Sequence, residues 1–323
     1  MLRTRVGVLR GGPSSEFDVS LATGKTVLDN LPEDLYQPID IFIDQKGEWH
    51  RRGIPVTPER AVMDIDVIFN ALHGQYGEDG KVQQLLDHFK MPYTGSGALA
   101  SAVGMNKILA KKHFVQKGIK TPYYKVIEMS PNLDEKLVEI FRTFPQPSVI
   151  KPYNGGSSLG VTVARNFNEF CQSTANAFHY SPKIIIEEYI DGREGTLGLI
   201  ENFRQMPIYA LLPVEIQPIN GRTFFDYEAK YAGHSNEICP GNFSKGEVEE
   251  IIKAVSASHE AIGGRHYSRT DFIIHPRRGI YVLEVNTLPG LTESSLIPKS
   301  LQALGIKLSE FLHHIISLAQ RKK

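Results

Sequence analysis

The segments Arg269-Thr270-Asp271 and Glu284-Val285-Asn286 flank His275-Pro276-Arg277-Arg278-Gly279, a composition suited to a hairpin turn. Side chains along a strand alternate faces, so Arg269 shares a face with Asp271, and Glu284 shares one with Asn286. If the two faces coincide, three oxygen ligands and a guanidinium converge. Such a set suits Mg²⁺, which takes one or two carboxylates and completes its shell with water and substrate phosphates. The competing reading is the solvent-facing polar side of an antiparallel sheet. The core-like neighbours Phe272-Ile273-Ile274 and Tyr281-Val282-Leu283 weaken it, because an acid buried beside them must be paired or metal-bound.

A second cluster is Lys151 followed by Gly155-Gly156-Ser157-Ser158-Leu159-Gly160. Glycines let backbone N–H groups approach phosphate oxygens, the serine hydroxyls add donors, and the lysine adds a point charge. A plain mobile hairpin turn is the alternative, and the loop alone does not separate the two. Because it joins two strands, it is not a Walker A loop. Gly24-Lys25-Thr26 resembles the end of that motif, but Val19 stands where the first glycine of G-x-x-x-x-G-K-[ST] belongs. Gly95-Ser96-Gly97-Ala98-Leu99-Ala100 fits the G-x-G-x-x-A dinucleotide pattern, yet the preceding segment is short and polar and no acid follows about 20 residues on. Hydride transfer rests on that pattern alone.

Glu16 follows the turn cluster Gly11-Gly12-Pro13-Ser14-Ser15, and His73-Gly74 follows Val67-Ile68-Phe69-Asn70. Both sit at strand ends, where an open α/β sheet presents its binding edge. Singly, each is more often a cap or a hydrogen-bonded loop residue than a ligand contact. Phe225-Asp226-Tyr227-Glu228-Ala229-Lys230-Tyr231, followed by a polar loop to Cys239-Pro240, has the aromatic and charged mixture of a lid over an active site. Ser294-Ser295-Leu296, after Pro289-Gly290, caps the next helix by default, or holds a carboxylate.

These residues need elements to position them. Val6–Leu9, Ile39–Ile43 and Val67–Phe69 are short apolar segments separated by helix-length stretches, which predicts an open α/β sheet. Val82, Leu85, Leu86 and Phe89 follow helical spacing and stop before Met91-Pro92. Thr94–Gly97 reads as the exit from this first domain. Ser148–Pro152 and Gly160–Val163 read as antiparallel strands around the glycine-serine loop, and Lys183–Ile190 as a further, buried strand. A helix with Val248, Ile251, Ile252, Val255, His259 and Ile262 on one face precedes strands at Thr270–Ile274 and Tyr281–Val285. Leu308, Phe311, Leu312, Ile315 and Ile316 predict a closing helix.

The 323 residues are 41% hydrophobic and 22% charged, with 36 Lys+Arg against 36 Asp+Glu. That composition fits two or three globular domains with ample cores and argues against a general pull on nucleic acid or anionic lipid. Two cysteines, Cys171 and Cys239, make no disulfide framework or thiolate metal site, so a cytoplasmic setting is expected. No export signal is visible, and no apolar run approaches ~18 residues.

Taken together, these residues resemble the ATP-grasp superfamily and, within it, the D-alanine–D-alanine ligase family. The match runs nearly the whole chain, from Gly11-Gly12, Glu16 and Ser20 through His73-Gly74 with Gly77-Glu78-Asp79-Gly80, Pro92–Gly97 and Lys151-Pro152. It continues through Gly156-Ser157-Ser158, Asp226–Tyr231, Arg269, Asp271, Glu284-Val285-Asn286-Thr287, Pro289-Gly290 and Ser295-Leu296. The resemblance implies an α/β N-terminal pre-ATP-grasp domain (1–101), then a two-lobed α+β ATP-grasp fold with a small lobe (102–188) and a large lobe (189–323) carrying the lid. It implies that ATP phosphorylates one D-alanine carboxylate and that the amine of a second D-alanine attacks the acyl phosphate. An ATP-grasp ligase for another amino acid and a non-catalytic nucleotide sensor are the alternatives, the sensor predicting a lost metal ligand or phosphate lysine where none is missing.

Carried over by position, Asp271, Glu284 and Asn286 would hold Mg²⁺ or Mn²⁺, two ions. Lys107, Lys151 and Lys230 would neutralise ATP and the transferred phosphoryl group, with the Ser157-Ser158 loop closing over the phosphates. Glu187 and Glu194 would contact adenine and ribose, and Tyr189 and Ile190 would line the adenine pocket. Arg269 and the Gly290 N–H would stabilise the oxyanion. Glu16 would hold the first substrate's ammonium, His73 would lie nearby, and Ser295 with Leu296 would receive the second substrate's carboxylate. Ser157 and Tyr231 would link to Glu16 and help position or deprotonate the attacking amine. A homodimer built on the first domain is also implied. Tyr231 favours a dipeptide product, since relatives making D-alanyl-D-lactate typically place histidine in that region; His234 in the same loop keeps the depsipeptide open. Asn106 stands where aspartate is common and Gly241 where alanine is common, which could alter the orientation of Lys107 and loosen the lid.

Overall fold

The computed structural model describes residues 3–156, 159–218 and 235–321. Their strands form three sheets. The first contains β1 (Thr4–Gly11), β2 (Tyr36–Ile43), β3 (Trp49–Arg51), β4 (Ile54–Val56) and β5 (Val67–Asn70), in the order β4-β3-β2-β1-β5. β1 is parallel to both β2 and β5, as the apolar runs predict, and the antiparallel hairpin β3-β4 extends one edge. Alternation along β1 splits its side chains between two cores. Leu9 packs with Ile41, Ile68, Val82 and Leu86, the last two from the helix Lys81–His88. Val6 and Val8 pack with Val27 and with Phe311, Leu312, Ile315 and Ile316 of the helix Leu308–Gln320, so the chain's last helix closes the first sheet.

The second sheet contains β6 (Tyr124–Glu128), β7 (Ser148–Pro152), β8 (Thr162–Ala164) and β9 (Lys183–Glu188), in the order β6-β9-β7-β8, with antiparallel neighbours. Ile184 and Ile186 face the core built with the helices Leu133–Thr143 and Phe167–Tyr180. Glu187 is of opposite parity and therefore faces the other way. Lys151 pairs with Ile185 and shares that opposite face.

The third sheet contains β10 (Arg193–Phe203), β11 (Met206–Ala210), β12 (Val214–Pro218), β13 (Ser235–Ile238), β14 (Tyr267–His275) and β15 (Gly279–Asn286), in the order β13-β12-β10-β14-β15 with β11 on β10. Its main covering helix, Lys245–Ala261, begins with a capping box in which Ser244 Oγ accepts from Glu247 N and Glu247 Oε2 accepts from Ser244 N. The helices Ala98–Met105 and Lys107–Gln116 also join this sheet's core through Val103, Ala110 and Phe114 against Ile262, Val282 and Val285. Asn106 separates them and caps the second, its Oδ1 accepting from Ile108 N and Leu109 N at 3.1 Å. An aspartate would cap in the same way, so Asn106 leaves Lys107 at the first helical position. A Cβ on Gly241 would stand 2.7 Å from Glu215 N; glycine is what lets this turn lie against β12. Among the described residues no helix is long and apolar enough to cross a membrane.

Candidate active site

Two cavities meet at one wall. The first, about 350 Å³, lies between the second and third sheets. The second, about 430 Å³, lies between the strand ends of the first sheet and the third sheet. Lys107, Gly155, Gly156, Asp271 and Glu284 line both.

Lys151, Glu187, Tyr189, Ile190 and Glu194, all expected at a nucleotide, line the first cavity. Glu187 is buried, with Oε2 at 2.9 Å from Lys151 Nζ and Oε1 at 2.9 Å from Lys111 Nζ. Burial pushes its carboxyl up, but the two lysines more than offset this and hold it below the ordinary range. The Lys111 contact is poorly aligned, which leaves Oε1 without a hydrogen-bond donor. A buried carboxylate on the cavity wall, next to Tyr189 and Ile190, suits the exocyclic amine of a flat apolar ring. Leu283 joins Glu284 on this cavity, although adjacent strand residues normally face opposite ways. The register shift between Asp271 and Phe272 allows it: Asp271 pairs with Glu284 and Phe272 with Val282, skipping Leu283.

At the shared wall, the register opposes Asp271 to Glu284 and Arg269 to Asn286, so the two polar faces coincide. Arg269 grips Asp271 in a fork, Nε to Oδ1 and Nη2 to Oδ2, both 2.9 Å, and Thr196 Oγ1 donates to Asp271 Oδ1 at 2.6 Å. Burial disfavours the charged guanidinium, but Asp271 overrides it and raises the Arg269 pKa, so the group stays charged. Lys107 Nζ lies 3.1 Å from Glu284 Oε2 and donates to Gly155 O at 3.0 Å, tying the end of the glycine loop to β15. Asn286 Oδ1 accepts from Leu288 N at 3.0 Å. Two carboxylates and an amide, all oxygen donors and placed where the cavities join, fit a Mg²⁺ whose shell is completed by phosphates. Among the described residues no cluster of three or more His, Cys, Asp or Glu offers a competing metal site.

The second cavity gathers Glu16, His73, Arg269, Asn286, Gly290, Ser295 and Leu296. Glu16 occupies the N-cap position of the helix Phe17–Asn30, but its side chain makes no capping bond. Its Oε2 would lie 2.7 Å from a Cβ on Gly74 and 2.7 Å from one on Gly156, so the carboxylate is nested between two glycines from different parts of the chain. His73 Nε2 is 2.8 Å from Thr23 Oγ1, and burial pushes its pKa down, so the ring is neutral near pH 7. Ser295 is the N-cap residue of the helix Leu296–Ala303 and likewise makes no side-chain capping bond; its hydroxyl pairs with Thr292 Oγ1 at 2.7 Å. The exposed helix N-terminus at Leu296 therefore faces the cavity as an anion acceptor.

Sequence reasoning passed over Glu78 as a site residue. Its Oε2 accepts from Gly74 N at 2.7 Å and its Oε1 from Leu288 N at 3.3 Å, bracing the loop beside Glu16. Burial, then Glu16, pushes its carboxyl up to about 8. Lys111 was also passed over. Both gain their meaning from partners distant in sequence. Ser157, Ser158, Lys230 and Tyr231 lie outside the described residues.

The D-ala D-ala ligase C-terminus family model matches residues 114–317, and the D-ala D-ala ligase N-terminus model matches 5–59 and 51–96. The chain belongs to the D-alanine–D-alanine ligase family. Within that family it is 38% identical over 321 residues to a D-alanine–D-alanine ligase of Geobacter sulfurreducens, covering 99% of this chain and 95% of that relative. The structure resembles the D-alanine–D-alanine ligase of Bacillus anthracis complexed with ATP, with a TM-score of 0.80 and 30% identity over 99% of this chain and 97% of that one. It also resembles the VanG D-Ala:D-Ser ligase of Enterococcus faecalis, with a TM-score of 0.87 and 28% identity over 98% of this chain and 100% of that one. The ATP-grasp fold anticipated for this D-alanine–D-alanine ligase family member is thus the fold observed.

Proposed function

We infer that the chain joins two D-alanine molecules into D-alanyl-D-alanine at the expense of ATP, releasing ADP and phosphate, as a step toward the peptidoglycan precursor. The observation that carries this is the shared wall: Lys107, Asp271 and Glu284 stand where a cavity suited to a nucleotide opens into one suited to amino acids. A phosphoryl group entering from one side meets a carboxylate from the other at that wall.

ATP occupies the first cavity, adenine against Tyr189 and Ile190 with Glu187 at its amine, ribose at Glu194, and phosphates toward Lys151 and Lys107. Asp271, Glu284 and Asn286 would hold Mg²⁺ or Mn²⁺, two ions in full, which would supply positive charge against the phosphates. Glu16 binds the first D-alanine's ammonium, and neutral His73 adds no repelling charge. Arg269, kept in place by Asp271, and the Gly290 N–H face the oxyanion of acyl transfer. Ser295 and the helix N-terminus at Leu296 take the second D-alanine's carboxylate. Lys230 adds charge at the phosphates, the loop of Ser157 and Ser158 covers them, and Ser157 and Tyr231 act with Glu16 on the attacking amine. In this reading residues 1–101 bind the first substrate, 102–188 and 189–323 clasp ATP, and the chain works as a cytoplasmic homodimer.

The test is ADP release by the purified chain with D-alanine, L-alanine, D-alanine plus D-serine, and D-alanine plus D-lactate, with products identified by mass. Release that requires D-alanine and yields the D,D-dipeptide is expected. Release with another amino acid alone would discard the substrate assignment.

A further inference from the structure

Lys111 lines neither cavity, yet its side chain is wholly buried. It lies one turn beyond Lys107 on the helix Lys107–Gln116 and reaches the face of the second sheet that carries Glu187 and Tyr124. Its ammonium has three donors. Its Nζ lies 2.9 Å from Glu187 Oε1 as an ion pair, donates to Thr121 Oγ1 at 2.6 Å and Pro122 O at 3.4 Å, and stands over the Tyr124 ring at 5.4 Å. On the cavity side, Lys151 Nζ holds the other oxygen of Glu187 at 2.9 Å. Two cations therefore flank one buried carboxylate, and only Lys151 can reach a ligand.

We propose that Lys111 is a positioning residue for the nucleotide phosphates: by holding Glu187 from behind, it leaves the charge of Lys151 uncancelled toward the cavity. This rests on the nucleotide reading given above. The triad carries a net charge of about +1 with Lys111 and about zero without it, counting each group as ionised. In the absence of Lys111, Glu187 and Lys151 form a neutral buried pair, and a phosphate must draw the lysine away from its carboxylate, which is unfavourable in a poorly solvated site. With Lys111 present, Glu187 keeps a counter-ion while Lys151 turns to the phosphates. Burial pulls the Lys111 ammonium down to about 8, opposed by Glu187, so the charge is present at neutral pH and its cost is borne by the pairing.

The experiment measures binding of ADP and of adenosine to the full chain in metal-free buffer, for the wild type, Lys111→Met and Lys111→Met/Glu187→Gln. Adenosine reports on the ring and ribose contacts, so the ratio of ADP to adenosine affinity isolates the phosphates. Lys111→Met is expected to lower that ratio about tenfold, the order for losing one charge a few ångströms away. The double variant removes both charges behind Lys151 and restores the ratio to within about threefold of wild type. If Lys111→Met does not fold, Lys111→Gln, neutral and able to bond Thr121, carries the same expectation. An unchanged ratio, or ADP and adenosine weakening in parallel, overturns the proposal while the nucleotide reading stands. A wild-type chain that binds neither ligand overturns both.

Discussion

Gly156→Ala probes the join between the glycine loop and the first domain. A Cβ there would lie 2.7 Å from Glu16 Oε2, 3.2 Å from its Cδ and 3.3 Å from Oε1. A relaxed carbon–oxygen contact needs about 3.4 Å, so the carboxylate must retreat by about 0.7 Å. Glu16 is only partly buried and the crowded atoms are the far end of a flexible side chain, so the fold loses little. A thermal or urea titration is expected to place the variant within about 1 kcal/mol of wild type, helped by the reduced freedom of its unfolded chain. The substrate ammonium does not share that tolerance: a displacement approaching 1 Å costs up to about 100-fold. Steady-state kinetics at saturating ATP should therefore show kcat/KM for D-alanine about 10- to 100-fold lower, equivalent to about 1.4–2.7 kcal/mol. If the loss passes through Glu16, Glu16→Ala/Gly156→Ala is no worse than Glu16→Ala alone, because the three atoms nearest the added methyl are then gone. A normal kcat/KM for Gly156→Ala, or losses that add in the double variant, would refute the placement of Glu16 at the substrate.

Other substitutions test separate parts of the site. Glu284→Gln removes a proposed metal donor and the partner of Lys107, so the Mg²⁺ concentration for half-maximal activity should rise at least tenfold while metal-free ADP binding holds or tightens; unchanged Mg²⁺ dependence would remove Glu284 from the metal site. The Glu78 carboxyl, held up at about 8 mainly by burial, keeps its proton longer when folded than when unfolded. Its contribution to stability is therefore full below about 4.5 and declines as pH rises to about 8, by a few kcal/mol in total. Glu78→Gln should flatten stability against pH over that window in denaturant titrations, and a parallel pair of curves would contradict the burial argument. Ser244→Ala breaks the capping box and should cost about 1 kcal/mol in unfolding free energy with kcat unchanged.

The hairpin of β14 and β15 was legible because polar residues alternate with core residues over both arms. Whether the polar faces coincide depends on register, which sequence leaves open, and the shift at Asp271/Phe272 that brings Leu283 beside Glu284 had no local signal. β10 was missed for a related reason. Glycine weakens a strand pattern, and Gly195 and Gly198 both lie in β10, where a Cβ on Gly195 would stand 2.8 Å from the Phe272 ring and one on Gly198 2.8 Å from Leu211 Cδ1. These glycines admit close packing from elsewhere in the chain. Local pattern also left Glu16 and Ser295 between helix cap and ligand contact. Neither makes a side-chain capping bond, and both line the second cavity. The tasks of Lys111 and Glu78 stayed hidden because Glu187 and Leu288 lie far from them along the chain.

The most direct test of the central claim uses D-alanine with ¹⁸O in both carboxylate oxygens, ATP and Mg²⁺, with phosphate analysed by mass. Phosphorylation of the carboxylate, followed by attack of the second amine, leaves one ¹⁸O in inorganic phosphate and one in the new peptide carbonyl. The account predicts one labelled oxygen per phosphate, in step with dipeptide formed. Unlabelled phosphate alongside dipeptide, or label appearing in AMP with release of pyrophosphate, would contradict it.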